Sequence, residues 1–204
     1  MTNMYKNLPA IFLAVAVVSA GSVFAFSQNT EQPQQPTQES GKILGHITMI
    51  VKDNNGNVKQ YLQTDNKVVN NGLKSTVAKL FGASLETLSG GTAGTFGVVG
   101  VGTGTNAPAA NDLGLQIQRA NKITATPTNN TGTIGAQISA TWAAGKLANA
   151  TSTTAAITEA GLFDNGANAT SSSNMFARQQ FSAINVGTAD SLQVSWTITF
   201  SSVN

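Results

Sequence analysis

The stretch "DSLQVSWTITFSSV" near the C-terminus constrains the fold more than any other. Leu192, Val194, Trp196, Ile198 and Phe200 alternate with Gln193, Ser195, Thr197, Thr199 and Ser201. A period of two places the apolar set on one face of an extended strand and the polar set on the other. A helix would scatter the same residues around its circumference. One dry face and one wet face is what an antiparallel sheet packed on a single side requires.

The pattern recurs upstream. In "TIGAQISATWAAG", Ile134, Ala136, Ile138, Ala140 and Trp142 share a face, and in "KILGHITMIVKD" so do Ile43, Ile47, Met49 and Val51. "DNNGN" supplies the Asn and Gly of a hairpin turn into "VKQYL". Short strands separated by Gly, Asn and Thr turns predict a mainly β chain, an antiparallel β-sandwich or jelly-roll-like domain over residues 42–204. One short helix interrupts it at about residues 72–82. There Leu73, Val77, Leu80 and Phe81 fall at i, i+4, i+7 and i+8, an apolar stripe of the kind that faces a core, with Gly82 as C-terminal cap.

The N-terminal part is of a different kind. Lys6 precedes an uncharged run from Leu8 to Phe26 of about 19 residues, with Val23 and Ala25 at the −3 and −1 positions of a cleavage site. Residues 1–27 therefore read as a signal peptide or a signal anchor, an N-terminal hydrophobic helix that meets the membrane through residues 8–26 if it is not cleaved. Residues 28–41, "QNTEQPQQPTQESG", lack any large apolar side chain that could offset the entropy of ordering, and are expected to be a disordered linker. This order implies a secreted or cell-surface domain.

Composition narrows the chemistry. Charged residues make up only 10%, the net charge is +2 and cysteine is absent. There is no disulfide framework, thiolate nucleophile or cysteine metal site, and no basic clustering of the kind that nucleic acid requires. No cofactor is implied.

"FGVVGVGTGTNAP" resembles a phosphate loop only in its glycine content, because no Lys-Ser or Lys-Thr follows the last glycine. Gly100, Gly102 and Gly104, spaced by two, instead predict a strand with one bare face that lets another backbone approach closely. His46, the single histidine, reads as a solvent-facing strand residue, since no G-x-S-x-G marks a serine nucleophile. Asp53, Asn55 and Asn57 match the first ligand positions of a calcium loop. Position 6 is Val58 and position 12 is Thr64, so a hairpin turn explains them better than a weak calcium site. Glu159, Asp164 and Asp112 are the carboxylates a glycosidase would need in a cleft, although Glu159 reads more simply as paired with Arg178. Sequons at Asn129, Asn149 and Asn168 are possible N-glycosylation sites.

The linear order of "VKDNNGNV", "NKVVNNGLKSTVAKLFG", "GVGTGTNAPAANDLGL", "ITEAGLFD" and "MFARQQFSAINVGTADSLQVSWTITF" resembles that of phage and archaeal virion-associated or tail-fibre-like surface β-proteins. The resemblance spans most of residues 45–200 and implies a structural or attachment role. An export segment and a Pro/Gln linker set this chain apart from the phage examples and point to a cell-surface or secreted setting. The expected function is thus an exported, non-enzymatic surface or structural protein. Its partner would be a second copy, another surface protein or a glycan. A secreted carbohydrate-active hydrolase and a calcium-dependent sugar-binding module are the alternatives.

Overall fold

The computed structural model describes residues 40–82, 86–148, 150–167 and 172–203. The expected signal segment, most of the linker, Asn149 and Asn168 lie outside them. Residues from Glu39 onward form one compact unit, mainly β, with two antiparallel sheets and one short helix.

In the first sheet, β1 (Ser40–Lys52) lies between β2 (Val58–Asp65) and β10 (Ser191–Val203), and β7 (Gly135–Trp142) with β6 (Thr128–Asn129) continues beyond β10. The second sheet runs β3 (Lys67–Val68), β9 (Met175–Gly187), β8 (Thr154–Phe163), β4 (Val98–Gly102) and β5 (Ile123–Thr124). β1 begins at Ser40, two residues ahead of the Lys42 boundary, and pairs along its whole length with β10, from Ser40↔Val203 to Lys52↔Ser191.

Register follows the alternation. Ile47 stands opposite Trp196 and Trp196 opposite Ile138, so three strands bring apolar residues to the same level of one face. Those residues interleave with Val99, Val101, Ile157, Ala160, Leu162 and Ile184 of the second sheet in a single buried cluster. The β1–β2 turn is built as the sequence predicts: Gly56 takes a positive φ of 84°, and the Asp53 carboxylate caps the turn.

The helix α1 (Asn70–Phe81) forms where the periodicity places it, but its burial is inverted. Asn71, Gly72, Ser75 and Ala78 are buried, while Leu73, Val77, Leu80 and Phe81 are exposed. The physical reason is proximity. A side chain at Gly72 would run into the backbone of Phe176 on β9, so only the face of small residues can approach that strand. Asn71 fixes the contact by donating from Nδ2 to Asn174 Oδ1 at 3.1 Å. The apolar stripe is left facing outward.

Candidate functional site

Glu159 is a buried carboxylate with a full set of hydrogen-bond donors around it. β8 carries it on its outer face beside a slip in register, where Ile157 pairs with Ile184 but Glu159 with Gln180. Its side chain is fully buried. Oε1 accepts from the Gly104 amide at 2.9 Å and the Ile117 amide at 2.8 Å, while Oε2 accepts from the Gln116 amide at 3.0 Å and from Arg178 Nε at 2.9 Å. Arg178, also buried, reaches on to Asp112 Oδ2 at 2.9 Å and to the Asn106 carbonyl at 3.1 Å. Glu159 and Asp112 are thus brought together, but across a guanidinium that binds both. Three of the donors to Glu159, the amides of Gly104, Gln116 and Ile117, belong to the 103–119 segment, so the carboxylate holds that segment against β8.

The glycine stripe belongs to this arrangement. Val99 and Val101 face the core, and the bare face of Gly102 and Gly104 is turned toward Glu159. A side chain at Gly102 would collide with the Glu159 carboxylate and the Ile117 carbonyl, and one at Gly104 with Gln116 and Glu159. Both glycines admit a covering segment and the carboxylate that pins it. Gly102→Val is expected to cost about 1–3 kcal/mol through overpacking, read as a shift in urea midpoint at unchanged slope. A variant melting with the wild type would show that the segment can lift away.

Asp164 shares none of Glu159's hydrogen-bond partners and anchors a separate network. It accepts from Asn174 Nδ2 at 2.7 Å, the Asn174 amide at 2.8 Å and the Gly94 amide at 3.0 Å, and Asn174 in turn holds Gly90 and Asn71. The network ties the 89–94 loop to α1 and to the β8–β9 connection. Nothing in the local sequence signals it except the cluster of Asn and Gly. Lys122 lies 3.7 Å above the Phe163 ring, and its burial pushes the ammonium below the usual lysine range against the opposing pull of Asp164.

The remaining candidates are more exposed. His46 Nδ1 is 3.1 Å from Asp65 on the neighbouring strand. Asp53 Oδ1 accepts from the amides of Asn55 and Asn57, and Oδ2 from Asn57 Nδ2, so the residues that mimic a calcium loop are consumed by their own turn. The Asn57 side chain is the main cause holding the Asp53 carboxyl below its ordinary value. Asn129 lies exposed on β6. Among the described residues no group of three or more His, Cys, Asp or Glu could hold a metal ion, and no helix is long and apolar enough to cross a membrane.

Asp190, which the sequence reading did not single out, ties β2 to the turn between β9 and β10. It takes Lys59 Nζ at 2.7 Å and the Gly187 amide at 2.9 Å, and the Lys59 bond is the largest cause of its lowered pKa. A lowered carboxyl contributes stability above its unfolded value, near 3.8, and loses it as pH falls through the folded value. Asp190→Asn should therefore reduce stability at neutral pH and flatten its acid dependence below about pH 4, measured by thermal melts across that range.

One apolar feature remains. On the inner face of the first sheet, the last apolar core-facing position of β10 is left partly uncovered. Phe200 is 44% exposed and Ile134, whose carbonyl accepts from the Phe200 amide, is 78% exposed. Phe200 and Leu80 of α1 border an open mouth of about 270 Å³ floored by Phe96, Leu162, Phe176 and Ile198. Phe96 and Phe176 pack there with ring centres 5.0 Å apart. Comparisons with protein-family models, with curated proteins and with solved structures find no match to this chain.

Proposed function

We propose that this chain is an exported surface or structural protein with an attachment or assembly role, its two sheets forming a β-sandwich carried on the Pro/Gln linker. The observation that carries the reading is the apolar mouth: core-type side chains presented on the surface mark a site where another surface docks. The use of the acidic residues supports it. A hydrolase would need two carboxylates free to meet a substrate, whereas Glu159 is buried under three amides and Arg178. A calcium-dependent sugar module would need Asp53 to release the turn it caps.

The test is exposure of the domain on intact cells. Expressed with its own N-terminal segment in a bacterial host, the protein should be released or cleaved by protease added outside the inner membrane. Full protection, lost only on lysis, would overturn the exported reading. Release of reducing ends from polysaccharides by the purified chain, abolished by Glu159→Gln at unchanged stability, would favour the hydrolase instead.

A further inference from the structure

We infer that the apolar mouth docks on an anionic lipid surface. Strand parity shows that the mouth is unfinished core: Phe200 continues the inward series of Val194, Trp196 and Ile198 along β10, yet it is exposed. Leu80, 68% exposed, lines the mouth from the end of α1, and Phe81, the next residue and the last of the helix, is 73% exposed. Protruding apolar side chains around a shallow apolar floor suit insertion among acyl chains at the headgroup boundary.

Two observations select lipid as the occupant. The first is where the chain enters the domain. Ile43 pairs with Phe200 and Ser40 with Val203, so the residues before Ser40 join the domain at the end that carries the mouth. Thirteen residues separate Ser40 from Phe26, the end of the uncharged run, and they reach at most about 45–50 Å. If that run lies in a bilayer, the tether keeps the mouth within reach of the same bilayer at high effective concentration. The inference rests on the exported reading in this one respect.

The second observation is charge. Lys79 lines the mouth, and Lys42, next to Ile43 on the opposite face of β1, is exposed at the same end. Neither has an ion-pair partner among the described residues, and Glu86, which shares a neighbouring crevice with Lys79, is paired with Lys74 at 3.5 Å. An apolar mouth lined by the unpaired Lys79, with a second unpaired lysine at the same end of the domain, matches an acyl boundary under anionic headgroups. A second copy meeting the mouth face to face would oppose the two Lys79 side chains at the centre of the contact.

The absence of cysteine allows a direct test on the full chain. Phe81→Cys and, at the far end of β1, Asn55→Cys are labelled with an environment-sensitive fluorophore and reconstituted into phosphatidylcholine vesicles with or without phosphatidylglycerol. The probe at 81 should shift to the blue in the anionic vesicles, lose the shift on adding Lys79→Glu or high salt, and the probe at 55 should not respond. Co-flotation with an unshifted probe at 81 would overturn the docking and leave the anchor intact. Failure to co-float would remove both. A shift that rises with protein density, equally in neutral and anionic vesicles, would assign the mouth to a second copy and overturn the lipid assignment.

Discussion

Glu159→Ala is expected to destabilise the domain by about 3–5 kcal/mol, the range for removing one partner of a buried ion pair. Three backbone amides, those of Gly104, Gln116 and Ile117, lose their acceptor, and Arg178 keeps only Asp112 and a carbonyl to balance a charge that remains buried. The separate penalties overlap because the 103–119 segment can lift and let water in, so they do not simply add. Glu159→Gln should recover little, since its amide nitrogen would turn donors toward a guanidinium and a backbone N–H. Urea melts give the comparison. A loss below about 1 kcal/mol for Glu159→Ala would mean that the carboxylate is not a structural lock, and would return it to the candidates for chemistry.

How much of this could be read from the sequence depends on which interaction decided each element. The central strands were legible because burial alone sets them: Val194, Trp196 and Ile198 have one possible dry face, and the structure buries that face. The pairing of Glu159 with Arg178 was also legible, because an acidic residue inside an apolar strand needs a cation. The orientation of α1 was not. Periodicity gives the direction of the apolar stripe but says nothing about how closely the partner backbone comes, and that distance at Phe176 decides in favour of Gly72, Ser75 and Ala78. The small residues of "NNGLKSTVAKLFG" were the available signal, as close-approach faces are made from such residues. Of the glycine stripe, Gly100 and Gly102 lie on β4 but Gly104 falls past its end, and the neighbour at Gly102 is a carboxylate as much as a backbone. The Asp164–Asn174–Asn71 network joins residues far apart in sequence, and no spacing rule brings them together.

Trp196→Ala is expected to cost about 3–5 kcal/mol, and the companion variant Trp196→Phe shows why. The indole is fully buried between Ile47 of β1 and Ile138 of β7, at the level where the two sheets meet, so truncation leaves a cavity that neighbouring strands cannot close without losing register. Its Nε1 hydrogen, however, has no acceptor among the described residues, unlike that of Trp142, which donates to the Asn121 carbonyl at 3.2 Å. Burial of that unpartnered donor opposes the gain from packing by about 1–3 kcal/mol. Phenylalanine gives up part of the volume and the whole of that penalty, so Trp196→Phe should lie within about 1.5 kcal/mol of the wild type. Trp142 remains as the fluorescent reporter for both melts. Equal losses for the two variants would show that the indole N–H finds an acceptor, and a loss under about 1 kcal/mol for alanine would show that the level of Trp196 is not where the sheets are held together.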